Sequence, residues 1–163
     1  MKFVADHMLG TLAKWLRFLG YDTLYPDCIG DAELVRIARD EKRVLLTRDK
    51  EIARRKDGKH VKIILIKDKD VEKQVAEVFS SCGIKPDPGM LLSRCSVCNS
   101  PIEPAGEETA RNHVPAGVFE RHDRFWKCPG CGRFYWEGTH WTKIKKIAER
   151  TAKIAGDNVS KNL

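Results

Sequence analysis

Four cysteines stand in two Cys-x-x-Cys pairs, Cys95-Ser96-Val97-Cys98 and Cys128-Pro129-Gly130-Cys131, with 29 residues between them. Each pair makes a tight turn that aims two sulfurs to one side, and two such turns supply tetrahedral sulfur coordination of the zinc-ribbon kind. Four thiolates leave no open position, so the chemistry predicted is structural zinc rather than catalytic zinc. The competing reading is a pair of disulfides in a secreted domain. Cys28 and Cys82 lie far from the pairs and show no spacing of their own.

A second constellation is acidic. Asp6, Asp49 and Asp68 each follow an apolar, strand-like run, Asp31 opens a helix-like run, and Glu33 lies in the same turn. If those strands are parallel, the acids share the carboxyl edge of the sheet, where open α/β sheets bind ligands. Carboxylates converging there need a cation, and oxygen ligands suit Mg²⁺ or Mn²⁺. Such an ion polarises a phosphodiester and lowers the pKa of an attacking water. Crowded like charges also predict that removing one acid leaves stability level or raises it. Three of these acids have a duller role too. Asp31 can be a helix N-cap, Asp49 can open a turn, and Asp68 sits in a Lys-Asp-Lys-Asp run suited to solvent. Asp6 alone has no local duty.

The elements that must position these residues alternate strand and helix. Lys2 to Ala5 reads as a strand, and Leu9, Leu12, Ala13, Leu16 and Leu19 then recur at helical spacing up to Gly20, a left-handed stop. Thr23 to Tyr25, Val44 to Leu46 and Val61 to Ile66 read as further strands. Helices are predicted from Asp31, from Lys50 to Lys56, and from Asp70 to Ser81. The rhythm argues a parallel sheet with helices on its faces. Pro86 and Pro88 mark residues 83–94 as a linker between an α/β domain, 1–82, and the cysteine module, 95–140. After it, Trp141, Ile144, Ile147, Ala148 and Ile154 alternate with Lys143, Lys146, Arg150 and Lys153, an amphipathic basic helix within 141–163.

The chain has 163 residues, 33% of them charged, and a formal net charge of +7. Residues 91–163 hold 12 basic and 8 acidic groups, so the excess is densest around the cysteines. That favours nucleic acid or an acidic surface as the partner. The chain opens on the strand-like Met1-Lys2-Phe3-Val4 rather than a leader, and no apolar run reaches the ~18 residues of a membrane span, so the cytoplasm is the expected compartment.

Three blocks carry a resemblance. Asp6 with Leu12-Ala13-Lys14-Trp15-Leu16-Arg17-Phe18-Leu19-Gly20-Tyr21-Asp22-Thr23, then Arg43-Val44-Leu45-Leu46-Thr47-Arg48-Asp49, then the two cysteine pairs ending in Asn99 and in Gly132-Arg133-x-Tyr135-Trp136-x-Gly138-Thr139-His140, resemble the Mut-seven C-terminal RNase domain family. The resemblance covers about residues 2–145. It implies a PIN-like α/β fold with a fused zinc ribbon, and metal-dependent ribonuclease chemistry on Asp6, Asp31 and Asp49 with Mg or Mn. Asp68 or Glu33 is the loose fit for the fourth acid that PIN nucleases usually carry.

The blocks also single out Lys14, Arg17 and Arg48 as contacts to RNA phosphates. Phe125, Trp126, Phe134, Tyr135 and Trp136 can stack on unpaired bases or form the ribbon's small core, and core packing is the stronger expectation. Other function classes compete with the nuclease. A PIN-like and zinc-ribbon protein without catalysis would bind RNA or a partner. A phosphoacceptor domain is disfavoured, because His7 rather than a second acid follows Asp6.

Overall fold

A computed structural model describes residues 1–26, 28–55 and 60–160, so Lys56 at the end of the expected basic helix lies outside the described residues, as does the His140 side chain. Four short strands, β1 (Lys2–Ala5), β2 (Asp22–Leu24), β3 (Val44–Thr47) and β4 (Ile63–Leu65), form a parallel sheet in the order β2-β1-β3-β4. Phe3 is in register with Thr23 on one side and Val44 on the other, and Leu45 with Ile63. Helices α1 (Gly10–Phe18), α2 (Asp31–Asp40), α3 (Lys50–Ala53) and α4 (Val71–Cys82) connect and follow the strands. The sequence expectation of a parallel α/β sheet flanked by helices holds, with β4 shorter than the predicted run.

Alternation along β1 and β3 explains why helices are needed on both faces. Val4 and Leu45 point to one side and are buried against Leu34, Val35 and Ala38 of α2. Phe3, Ala5, Val44 and Leu46 point to the other, where Leu12, Leu16, Val75 and Phe79 of α1 and α4 cover them. A central parallel strand is buried on both faces, which is why its sequence reads as continuous apolar residues.

At the end of α1 Gly20 takes φ +88°, and a Cβ there would sit 2.3 Å from the Met90 carbonyl oxygen, so only glycine fits. The close approach seats Met90 against the end of the helix, and Leu92 N–H donates to Phe18 O at 2.8 Å.

The second unit is small. Strands β5 (Glu103–Ala105), β6 (Phe125–Lys127) and β7 (Phe134–Trp136) make an antiparallel sheet, with the short helices α5 (Glu107–Arg111) and α6 (Ala116–Phe119) between the first two. Ala110, Val114 and Phe125 are its buried core, with Phe119, Phe134 and Trp136 packed around them. Of the five aromatics expected to form this core, Phe125, Phe134 and Trp136 do so. Phe119 and Phe125 stack with centroids 5.6 Å apart. Helix α7 (Thr139–Ser160) buries Ile144, Ile147 and Ala148 and leaves Lys143, Lys146, Arg150 and Lys153 exposed. Ala148 enters the same core as α1 and α4. Among the described residues no helix is long and apolar enough to cross a membrane.

Candidate active site and cysteine centre

The carboxyl edge of the parallel sheet holds Asp6 directly after β1 and Asp49 two residues after β3. Asp6 is 3% exposed, and its carboxylate is fastened from three directions. Oδ1 accepts from Met8 N at 2.8 Å, capping the 3₁₀ turn His7–Leu9. Oδ2 accepts from Arg48 N at 2.9 Å and from the Thr47 hydroxyl. A carboxylate offers about four lone pairs, so Asp6 keeps acceptor capacity on Oδ1. The Thr47 hydroxyl in turn accepts from Asp49 N at 2.9 Å. One buried threonine thus ties the acid ending β1 to the acid beginning α3. Thr47 was overlooked in the sequence, although a hydroxyl that ends a buried strand between two acids is the signal that would have found it.

The other acids are arranged differently. Asp49 is exposed and caps α3, accepting from Glu51 N at 2.7 Å. Asp31 is exposed at the first position of α2, whose N-cap is Gly30 and not Asp31 itself. Glu33 is turned along its own helix to Arg36, with Oε2 2.8 Å from Nε. That hydrogen bond holds its carboxyl below the usual range, against the upward push of desolvation. Asp68 closes a turn by accepting from Asp70 N at 2.9 Å. That bond holds its carboxyl below the ordinary value as well. Among the described residues the three proposed acidic ligands do not form a set whose oxygens all lie within 4.8 Å of one another.

The cysteines do form one. Cys95, Cys98, Cys128 and Cys131 bring their sulfurs within 4.8 Å of one another. Cys95 Sγ is 3.5 Å from Cys131 Sγ and Cys98 Sγ is 3.3 Å from Cys128 Sγ, so each close pair joins the two turns, at distances beyond disulfide bonding. Tetrahedral Zn–S bonds of about 2.3 Å require sulfurs gathered in this way, and the donor set fits zinc. The turns also aim amides at sulfur. Val97 N and Cys98 N both lie 3.4 Å from Cys95 Sγ. Tyr135 adds its hydroxyl 3.0 Å from the same sulfur, a second contribution that sequence reading missed. Gathering the thiols splits their acidities. The hydrogen bond with Ser100 is the largest influence that holds Cys98 down at about 6, while desolvation pushes Cys128 up to about 12. A divalent cation removes that conflict, since all four then bind as thiolates.

With the geometry in place, a comparison of families decides the classification. The Mut7-C RNAse domain model matches residues 1–148 of the 163. The chain belongs to the Mut7-C RNAse domain family. It matches no curated protein and no solved structure. Membership points to a ribonuclease-type function with RNA as the substrate class. The four-cysteine centre can hold a zinc ion.

Within this Mut7-C chain the three basic residues singled out from sequence part company. Lys14 is exposed on α1, with its ammonium 5.8 Å from the Phe18 ring centroid. The backbone N–H of Arg48 is spent on Asp6, and its side chain is partly exposed beside the acids. Arg17 requires correction. It is 7% exposed, and its guanidinium donates to the carbonyls of Thr23 at 2.9 Å, Ser96 at 3.2 Å and Val97 at 2.8 Å. Burial pushes it below its ordinary value against the pull of Cys95 and Cys98, the next two influences. With three carbonyls on Nε and Nη1 and only 7% of the residue exposed, Arg17 is turned into the fold and away from an RNA phosphate.

Proposed function

We propose that this chain is a metal-dependent ribonuclease. Its Mg²⁺ or Mn²⁺ is held by Asp6, Asp31 and Asp49, with Asp68 or Glu33 as an outer participant. The observation that carries this reading is the Asp6 carboxylate, buried at the carboxyl edge and fastened by Met8 N, Arg48 N and the Thr47 hydroxyl beside Asp49. A buried acid fixed in place is what a metal ligand requires of its protein. When bound, the ion supplies polarisation of the phosphodiester and an acidified water. The chain's own part is to orient Asp6 through Thr47, to keep Asp49 within the same hydrogen-bonded turn, and to offer Lys14 and Arg48 to the phosphates of an RNA with unpaired character. The four cysteines hold one structural zinc, and the ribbon and α7 assist RNA binding. The compartment is the cytoplasm, where thiols stay reduced.

The test is cleavage of a labelled single-stranded RNA in Mn²⁺. Asp6→Asn should lower the rate by at least about 100-fold. Unaltered cleavage in Asp6→Asn, Asp31→Asn and Asp49→Asn alike would remove the nuclease reading. A second reading rests on the separation of the three carboxylates: the chain binds RNA or a partner without cutting. It predicts RNA binding that is indifferent to Mn²⁺ and to Asp6→Asn.

A further inference from the structure

Among the described residues, strand β2 lies at the edge of the parallel sheet and pairs only with β1. Such an edge presents free N–H and C=O groups, and proteins must cover or pair them. Thr23, at the centre of β2, is nonetheless 0% exposed. Its N–H donates to Asn99 Oδ1 at 3.0 Å, and its carbonyl accepts from Arg17 Nε at 2.9 Å. The outward-facing amide and carbonyl of the edge are therefore both taken by side chains. Asn99 Nδ2 also donates to Asp22 Oδ1 at 2.8 Å, and Arg17 Nη1 continues to the carbonyls of Ser96 and Val97. Those two residues lie between Cys95 and Cys98. Four hydrogen bonds thus reach the first cysteine turn, from Arg17, Thr23 and Asp22, and a fifth joins Arg17 to the sheet edge.

Comparison of the two turns shows that this is a built feature. Each is closed in the same way: Asn99 N donates to Cys95 O at 3.0 Å and Gly132 N to Cys128 O at 2.9 Å. Cys95 N and Cys128 N donate to Ser100 O and Arg133 O, both at 2.8 Å. Asn99 and Gly132 therefore occupy equivalent positions, with φ +69° and +73°. The second turn is solvent-facing and uses glycine, the residue that accepts positive φ without strain. The first uses asparagine, which tolerates that region and brings an amide that glycine lacks. That amide is what reaches Thr23 and Asp22.

We infer that metal loading of the cysteine centre latches the outer edge of the α/β sheet. With the four sulfurs on one cation, the first turn presents Asn99 and the carbonyls of Ser96 and Val97 in register with Thr23 and Arg17. Release of the cation lets that turn relax, and β2 regains an open edge able to pair with another strand. Arg17 and Asn99 are the positioning residues of the latch. The inference rests on the reading of the four cysteines as a zinc site.

The experiment is residue-resolved hydrogen exchange on the full chain, zinc-loaded and after chelation, with zinc content measured alongside. Removing zinc should speed exchange of the Thr23 amide by roughly 10-fold, the worth of one hydrogen bond, while the amides of central β3 change little. Asn99→Gly keeps the positive φ and all four ligands. It should hold one zinc per chain and yet show fast Thr23 exchange even when loaded. A chain that binds one zinc but keeps Thr23 equally protected after stripping and in Asn99→Gly overturns the latch alone. A chain that takes up no zinc overturns the zinc reading and the latch with it.

Discussion

The two clusters of candidate metal ligands differ in how they are assembled. The four cysteines come from two turns that each place a pair of sulfurs through local hydrogen bonds, so only two pieces have to meet. The three aspartates come from three separate strand-to-helix connections, and they share an edge without closing on one point. A centre built from local turns is gathered by its own backbone. A centre built from topology brings its ligands near one another and leaves the last step to the ion and the substrate.

Mutation should expose that contrast most sharply at Cys128, which is fully buried. Structural zinc is worth about 10–16 kcal/mol in small metal modules, far more than a core of Ala110, Val114 and Phe125 contributes. Cys128→Ser should release the zinc and abolish the near-ultraviolet signal of Trp126 and Trp136, while the β1–β3 core keeps its slow hydrogen exchange. A Cys128→Ser protein with that signal intact would show that the module holds itself together.

The next effect belongs to the acidic edge, and it revises an expectation. Like-charge repulsion predicts level or higher stability for Asp6→Asn. Three donors point at that carboxylate, however, and an asparagine amide sets N–H against at least one of them. Asp6→Asn should therefore cost about 1–3 kcal/mol, read as a lower midpoint in urea. A midpoint that rises would restore repulsion as the dominant force. Thr47→Val removes only the hydroxyl bridging Asp6 and Asp49. It should lower Mn²⁺-dependent cleavage by about 10- to 100-fold, with RNA affinity retained.

A smaller effect is expected at Asp22, at the amino end of β2. Desolvation works to raise its pKa, but hydrogen bonds from Arg43 and Asn99 and the charges of Arg43 and Arg94 hold it below 3.8. The Arg43 contact is 2.7 Å, with the arginine side chain 6% and the aspartate side chain 17% exposed. A carboxyl depressed in the folded state adds stability that is complete above its unfolded value and is lost as pH falls through the folded one. Asp22→Asn should thus be less stable at pH 7 by about 1–3 kcal/mol. The gap between the two proteins should close as pH falls below 3.8. A gap that is constant from pH 7 to pH 3 would mean that the charge of Asp22 does not matter.

How much of this was legible in the sequence follows the same division. Cys-x-x-Cys spacing and the strand–helix rhythm are short-range signals, and both the cysteine cluster and the parallel sheet appear as read. Asp6 was read as an acid without a local duty; it does cap the 3₁₀ turn His7–Leu9, yet it is also the one buried acid of the five candidates. Arg17 was misread because a cation on a helix looks the same in sequence whether it faces solvent or three carbonyls. The partners that decide the matter, Ser96 and Val97, are 79 and 80 residues away. Asn99 was quoted only as part of a motif. Its meaning depends on Thr23, at a separation of 76 residues, which no periodicity encodes.

The smallest expected effect concerns the two basic residues that stay available. Lys14 is exposed, and the side chain of Arg48 is partly exposed next to the residue that fastens Asp6. If each meets one phosphate of a single-stranded RNA, replacing it with alanine should reduce the slope of log affinity against log salt by about 0.7. The loss in affinity should be similar across RNA sequences, because phosphate contacts carry no base information. Arg17→Ala is the informative contrast. Its buried guanidinium donates to Thr23, Ser96 and Val97, so this variant should lose stability with the salt slope unchanged. A slope that falls for Arg17→Ala and stays level for Lys14→Ala and Arg48→Ala would move the RNA path from the acidic edge to the cysteine turn, and the division of labour between the two clusters would be reversed.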